Sequence, residues 1–317
     1  MRRNLVILAS SLIVIGLIGT GIGAATGDLW KTPVSLGSIR GQVSLTKGIK
    51  NIDLVVPTAN VTVVGTSGNT LTYSGELTVL HQKTQEEADQ LVRSEWKIQK
   101  SGDTLTLTLE QPRSQWAGLN VSWRSPQLEL TVPSAMATQI KTSNGAVNIQ
   151  TMNASVRVQT SNARITASSI HGSVALQTSN GKITVKNMMG SVTAVDSNAG
   201  IEAASIHGSV DLRSSNGSIT LNSITGSATA IDSNSAIDAT SSINNKWYLE
   251  TTNGHIALSV PTNTNATISA STSNASIRGN VHWNSNDSGQ GSCILGTGLH
   301  QVHLETSNGS ITVNYSH

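Results

Sequence analysis

The sequence has few of the residues that carry chemistry in most proteins. Among 317 residues there is no phenylalanine, one cysteine (Cys293) and six prolines, and aromatic residues make up 3% of the chain. A single cysteine excludes an intramolecular disulfide framework and a cysteine-rich metal site. Charged residues are 12% of the chain and the net charge is +2, so the charge balance gives no reason to expect a nucleic acid partner.

Serine, threonine and asparagine are abundant and together make up about a third of the chain. They are poor helix formers. Together with Val, Ile and Gly, they are typical of β-strands joined by tight turns. The low proline content and near-zero net charge exclude a disordered chain. The composition therefore predicts an all-β protein.

The N-terminus predicts where the protein is located. Arg2 and Arg3 precede an apolar run from Leu5 to Ala25, which is long enough to cross a bilayer. The two arginines predict that this end stays inside and that everything after residue 27 is extracytoplasmic. Residues 1–27 are therefore expected to be a single-pass anchor in the cell membrane, with the lipid bilayer as a partner. The alternative is a signal peptide cleaved near Ala25, which would give a secreted protein.

A repeat occupies the second half of the chain. Its mark is an asparagine preceded by Ser or Thr, first at steps of 18 residues and then at steps of 19, 21 and 34. Apolar residues alternate between the marks, as in Ile183-Thr184-Val185, which predicts half-buried strands. Each unit thus contains two strands and two turns. The predicted turn residues are Asn144, Asn162, Asn180, Asn198, Asn216, Asn234, Asn253, Asn274 and Asn308.

A finer pattern doubles the period to 36 residues. The residue after the asparagine alternates between glycine and alanine from Gly145 to Gly217. Core positions alternate too: Ala203 on one strand is followed by Leu212 on the next, and neighbouring units reverse the order. Because protein interiors are close-packed, these large and small residues are expected to share one slice of the core.

Two architectures fit this unit: an antiparallel meander and a β-solenoid in which each unit is one coil. The solenoid is favoured because asparagines at a constant phase can form a hydrogen-bonded ladder between coils. The Asn-Ala units are also poorly suited to a two-residue hairpin turn. The predicted fold is a single-stranded β-solenoid (β-helix) with about 18 residues per coil and about nine coils, placed at residues 134–317.

Residues 28–133 predict a different, β-rich region. Strands are expected at 51–56 and 60–65, and Thr84 with Glu87 forms a capping-box motif that opens a short helix over 85–95. A hairpin should follow over 96–110. This region would cover the first coil of the solenoid, because repeat arrays need protected ends.

The order of these motifs carries a resemblance. Val-Thr-Val-Val-Gly at 61–65 is followed by Glu-Glu-Ala-Asp at 86–89, Gly-Asp-Thr-Leu-Thr-Leu at 102–107 and Leu-Glu-Leu-Thr-Val-Pro at 128–133, and then by iterated Ser-Asn-Gly-x-Ile-Thr-Val. Residues 50–317 thus resemble the bacterial putative-adhesin family of β-strand-repeat proteins, a domain of unknown function. The resemblance implies an extracytoplasmic β-solenoid, often membrane-tethered, and no catalytic residues. Residues 274–307 depart from the repeat and are expected to form an extruded loop around Cys293.

Two pairs of carboxylates are candidates for catalytic groups. Asp196 and Asp232 lie two coils apart, about 9.6 Å by strand spacing, which is near the separation in an inverting glycosidase. Glu202 and Asp238 are also 36 residues apart. Both pairs follow the repeat, however, so they are expected to be outward polar positions and no catalytic residue is assigned.

Four histidines are candidates for metal ligands. His171 and His207 hold the same repeat position two coils apart and are judged too distant to share a metal. His300 and His303 are expected to face opposite sides of a strand. The sequence therefore predicts no metal site and no cofactor.

The favoured function is a membrane-anchored extracytoplasmic protein that provides a non-enzymatic adhesion or interaction surface of the cell envelope. A carbohydrate or an envelope protein is the expected partner. An envelope-stress or signalling accessory protein is the alternative, and an enzyme acting on polysaccharide is a remote one.

Overall fold

The computed structural model describes residues 34–45, 48–80, 84–110, 123–287 and 289–316. The predicted membrane anchor from Leu5 to Ala25 lies outside these residues. In the part of the chain that is described, no helix has the length and apolar character needed to cross a bilayer. Two long sheets account for nearly all of the regular structure.

The described residues of the N-terminal part form seven strands and one helix. They are β1 (Val34–Ser44), β2 (Asn51–Val55), β3 (Asn60–Thr66), β4 (Thr70–Leu80), α1 (Gln85–Glu95), β5 (Trp96–Ser101), β6 (Thr104–Leu109) and β7 (Trp123–Pro133). The predicted helix is present and begins with the predicted capping box, in which Thr84 and Glu87 exchange hydrogen bonds with each other's backbone amides. Its buried face, Ala88 and Val92, packs on β1 at Gly37, where a β-carbon would lie 2.4 Å from Val92.

The central part contains fourteen strands that alternate between the two sheets. They are β8 (Ala137–Lys141), β9 (Val147–Met152), β10 (Val156–Gln159), β11 (Ile165–Ile170), β12 (Val174–Gln177), β13 (Ile183–Met188), β14 (Val192–Val195), β15 (Ile201–Ile206), β16 (Val210–Arg213), β17 (Ile219–Ile224), β18 (Ala228–Asp232), β19 (Ile237–Thr240), β20 (Trp247–Thr251) and β21 (Ile256–Val260). The even-numbered strands of this part form the second sheet and the odd-numbered strands the first sheet.

Among the strands of this central part, pairing within each sheet is parallel and shifted by one repeat. Val156 lies beside Val174, and Ile165 beside Ile183, a step of 18 residues in each case. Consecutive strands lie in opposite sheets, so the chain advances as a solenoid and the meander is excluded. The predicted all-β solenoid is therefore present in the described residues.

The C-terminal part contains six strands: β22 (Ala266–Thr272), β23 (Ile277–Arg278), β24 (Ser285–Asp287), β25 (Gln290–Leu295), β26 (His300–Thr306) and β27 (Ile311–Tyr315). The expectation of an extruded loop at 274–307 is wrong. Strand β25 pairs with β22 and β24, and Cys293 is fully buried. The segment folds over the end of the second sheet because its apolar residues alternate along β25.

The coils do not stack in chain order at either end. Strands β2 and β3 lie between β6–β7 and β8–β9, and strands β26 and β27 lie between β20–β21 and β22–β23. At each end, one coil is thus inserted between two that are closer to each other in sequence. Eleven coils result among the described residues, two more than the repeat marks predicted, because 51–66 and 104–133 also form coils.

The core contains matched columns of large and small side chains. In the first sheet Ala167, Val185, Ala203 and Leu221 lie in register, and each is fully buried. The second sheet has the opposite order, with Leu176, Ala194, Leu212 and Ala230. Two antiphase columns keep the core volume constant along the solenoid.

Candidate binding surfaces of the solenoid

One edge of the solenoid is a continuous asparagine ladder. In each turn after a second-sheet strand, the Nδ2 atom of the repeat asparagine donates to Oδ1 of its neighbour one coil away, at 2.7–3.0 Å. The ladder continues through the inserted coil, since Asn308 donates to Asn253 and accepts from Asn274. In stacking order it contains Asn144, Asn162, Asn180, Asn198, Asn216, Asn234, Asn253, Asn308 and Asn274.

Asp196 and Asp232 are buried beneath this ladder, with 2% of each residue exposed. They were expected to point outward, and that expectation is wrong. Asp196 accepts a hydrogen bond from the amide of Ala199, and Asp232 accepts from the amides of Asn234 and Ser235. The carboxylates therefore satisfy the amides of a tight turn, and their position explains why the pair follows the repeat.

Other coils use a hydroxyl at the same position. Thr178 accepts from the amide of Gly181 and donates to the carbonyl of Ala163 in the preceding coil, both at 3.3 Å. That carbonyl points at the neighbouring turn: a β-carbon at Gly181 would lie 1.9 Å from it. Close backbone approach therefore explains why glycine follows alanine in alternate coils.

The outer face of the second sheet contains a shallow groove of about 580 Å³. We call it the second-sheet groove. Its outward side chains come from five stacked strands, in the order Asp53, Gln139, Arg157, Ala175 and Thr193. The small side chain of Ala175 leaves space between longer neighbours, and the groove runs along the solenoid axis for about 19 Å at the usual strand spacing.

An aromatic and acidic cluster lies farther along the same face. The rings of Tyr248 and His303 stack with centroids 5.3 Å apart. The Tyr248 hydroxyl donates to Glu250 at 2.8 Å, and His303 Nε2 is 3.2 Å from Glu305. Partial burial and the adjacent carboxylates raise the pKa of Tyr248 to about 12. His303 also lies 3.0 Å from the Ser269 hydroxyl.

The sequence pattern does not predict this cluster, because its members are distant in the chain. Tyr248 and His303 are neighbours only because β26 is inserted next to β20. His300, which was expected to face the other side of the strand from His303, is half-buried at the start of the same strand. Tyr248 precedes the ladder residue Asn253 at the same spacing as His303 precedes Asn308. This equal spacing is a signal from which the sequence could have predicted that Tyr248 and His303 are neighbours.

The outer face of the first sheet carries a different charge pattern. Glu202 forms ion pairs with Lys182 at 3.0 Å and Lys186 at 2.9 Å, and hydrogen bonds from Lys186 and Lys182 lower the pKa of its carboxyl. Asp238 lies 3.4 Å from His255. These carboxylates face outward, as the sequence predicted, and each is paired with a cation-forming side chain.

Among the described residues, no three His, Cys, Asp or Glu side chains lie close enough together to hold a metal ion. Cys293 is inaccessible in the cap over the second sheet, and burial raises the pKa of its thiol to about 11. Its position is that of a small apolar core residue.

Comparison with known proteins identifies the architecture. A solved structure described as a "putative lipid binding protein" from Parabacteroides distasonis ATCC 8503 matches with a TM-score of 0.51 and 10% identity, covering 89% of this chain and 97% of that one. A "putative adhesin" from Parabacteroides merdae ATCC 43184 matches with a TM-score of 0.44 and 10% identity over the same shares. No curated protein shows significant similarity. The family model described as Toastrack DUF4097 matches residues 49–314, and the chain therefore belongs to the Toastrack DUF4097 family.

Proposed function

We propose that this protein is a non-enzymatic adhesion surface of the cell envelope and that its second-sheet groove binds an extended carbohydrate. The observation that carries the proposal is the continuity of the groove over five coils. A groove of this shape fits a chain-like ligand better than a compact one. The name given to the structure from Parabacteroides merdae agrees with an adhesion role.

The side chains of the groove suit a neutral, hydroxyl-rich ligand. Gln139 and Thr193 can donate and accept hydrogen bonds, the Asp53 carboxylate accepts, and the Arg157 guanidinium donates. Each such bond contributes little on its own, so affinity would come from many contacts along the groove. Such a surface binds polymers well and single sugars poorly.

The proposal also places the protein at the outer side of the cell membrane, anchored by Leu5 to Ala25. The length of this apolar run and the preceding Arg2 and Arg3 support that placement. Protease added to intact cells should then degrade the solenoid, and alkaline washing should leave the chain in the membrane fraction. Release by washing would contradict the anchor and favour a cleaved signal peptide.

The groove is tested by filling it. The full chain, purified in detergent, is applied to an array of envelope polysaccharides, and Ala175→Tyr is compared with Ala257→Tyr. Both alanines are half-buried on outer strand faces, but Ala257 lies on the first sheet. We expect Ala175→Tyr to reduce binding at least tenfold and Ala257→Tyr to bind like wild type. Equal binding by all three proteins, or no binding by wild type, would contradict the proposal.

A further inference from the structure

One exposed row of side chains runs along the turns that lead from the first sheet to the second. Asn153, His171, Met189, His207 and Thr225 occupy equivalent places in five consecutive coils. The backbone shows this register, because the amides of His171, Met189 and His207 bond to the carbonyls of Met152, Ile170 and Met188 at 2.8–3.0 Å. We call His171, Met189 and His207 the His–Met–His row.

The exposure of Met189 has no explanation in packing. Its neighbour Met188 is completely buried in the core, whereas 56% of Met189 is exposed. Exposing a long apolar side chain to water gives no gain in stability. The other four of the five equivalent positions have polar residues. Thioether sulfur and imidazole nitrogen are, however, both ligands that copper accepts.

One nitrogen of the His171 ring already has a hydrogen-bond partner. Its Nδ1 atom lies 2.7 Å from Oδ1 of Asn153, and the Nδ2 atom of Asn153 donates to Ser134 at 3.0 Å. An amide oxygen only accepts hydrogen bonds, so this contact forms in the tautomer of His171 that has its proton on Nδ1. In that tautomer Nε2 has its lone pair available. Metal-binding histidines commonly have such a partner on the other ring nitrogen.

The geometry points to a new metal site: we propose that the His–Met–His row binds copper(I) through Nε2 of His171, the sulfur of Met189 and an imidazole nitrogen of His207. The three ligands are neutral, and thioether sulfur favours this soft cation over zinc or magnesium. A metal above Met189 would be about 4.8 Å along the axis from each histidine, which an imidazole and a metal–nitrogen bond of about 2 Å can span.

In the sequence a whole coil separates the two histidines, so their spacing alone predicts no shared metal. Met189 lies on that intervening coil. Each histidine therefore has Met189 as its neighbour, and the three side chains follow one another in consecutive coils. The proposed site is on a different edge from the asparagine ladder and does not use the second-sheet groove. It therefore does not depend on the proposed adhesion function.

The test measures copper(I) affinity of the full chain in detergent, without oxygen, by competition with the chromophoric chelator bicinchoninate. We expect one copper(I) per wild-type chain and an affinity at least tenfold lower for Met189→Leu, His171→Asn and His207→Thr. The last two replacements use the residues that the row itself has at Asn153 and Thr225, so the fold should be retained. Asn153→Ala should weaken binding about 10–100-fold by releasing the His171 ring.

Two controls separate the row from other soft ligands. Met188→Leu changes the adjacent buried thioether, and Cys293→Ala removes the single thiol; both should bind copper(I) as wild type does. In NMR spectra with silver(I) as a redox-inert probe, the Met189 methyl signal should shift while that of Met188 stays in place. The proposal fails if wild type binds no copper(I), or if Met189→Leu retains wild-type affinity.

Discussion

At the scale of single residues, the turns beneath the asparagine ladder depend on two positions. One holds a buried Thr, Ser or Asp, which in six of the coils accepts a hydrogen bond from a turn amide, and the other holds glycine wherever the previous coil directs a carbonyl at it. Both follow from the close stacking of backbone turns, which leaves neither room for a β-carbon nor water for an unpaired amide.

Gly217→Ala should lower the free energy of unfolding by about 3 kcal/mol, because a well-packed backbone must move to admit the methyl group. The added β-carbon would lie 1.4 Å from the carbonyl oxygen of Ala199. Gly200→Ala is the matched control, since its β-carbon would come no closer than 3.0 Å to another atom. Urea unfolding measures both, and equal losses would show that the carbonyl contact is not the cause.

Asp196→Thr should raise the free energy of unfolding by about 1 kcal/mol at pH 7. Burial raises the pKa of the Asp196 carboxyl above its ordinary value of 3.8, although the turn amides partly oppose this. The native state therefore holds the proton more tightly than the unfolded state, and this group destabilises the protein as pH rises through the native pKa. Threonine can accept the same amide without a charge.

The gain from Asp196→Thr should consequently shrink as the pH is lowered toward the ordinary aspartate value, where the wild-type carboxyl is protonated. Chemical unfolding measured between pH 4 and pH 7 checks this trend. The reverse replacement, Ser214→Asp, puts a carboxyl at the same position in the next coil, beside Asp232, and should destabilise the protein at neutral pH. A gain independent of pH would contradict a role for the charge.

At the scale of elements, the asparagine ladder joins turns that lie beyond the ends of the paired β-strands. Asn198 donates to Asn180 and to the Ser179 carbonyl, and accepts from Asn216. Asn198→Ala should therefore cost about 1–3 kcal/mol at typical values for net hydrogen-bond stabilisation. Thermal or urea unfolding gives this value directly.

Asn144→Ala is the internal control, because Asn144 begins the ladder and accepts one bond from Asn162. Its loss should be roughly a third of that at Asn198. If both variants lose the same stability, the asparagines act through turn preference alone and the bonds between coils add nothing.

The strands and their register could be predicted from the sequence because each unit repeats the same alternation. Ile183, Thr184 and Val185 face in, out and in, and the unit length fixes which residues stack. The inward position of Asp196 could not be predicted, since a carboxylate in a repeat normally marks an outer face. Only the turn geometry reveals the amides that hold it inside.

At the scale of the whole molecule, the order of coils at the ends was not predictable from the repeat. The turns at Asn253, Asn274 and Asn308 have the same local chemistry, so each can stack on either of the others. The observed order follows from long-range pairing, in which β26 fits between β20 and β22. The Tyr248–His303 cluster was hidden for the same reason.

Leu304→Ala should loosen the whole C-terminal cap rather than one strand. Leu304 is fully buried in the inserted coil, between Leu249 and Ala270, and its truncation should cost about 2–5 kcal/mol. Because residues 266–278 have that coil as their parallel support, hydrogen exchange should accelerate over 266–295 and 300–315 together.

Leu221→Ala, in the middle of the first sheet, is the control for this effect. It removes a side chain that is also fully buried but leaves the inserted coil intact, so exchange over 266–315 should not accelerate more than elsewhere. Selective loss of the cap in both variants would show that it is simply the weakest part of the molecule.

The inserted coil also determines how the protein responds to mechanical load. In a solenoid stacked in chain order, the last coil has one neighbour, and a pull on its free end peels it away against a single ladder in each sheet. Here β26 is paired with β20 on one side and β22 on the other, and β27 lies between β21 and β23. A force applied near Tyr315 must break ladders on both sides at once.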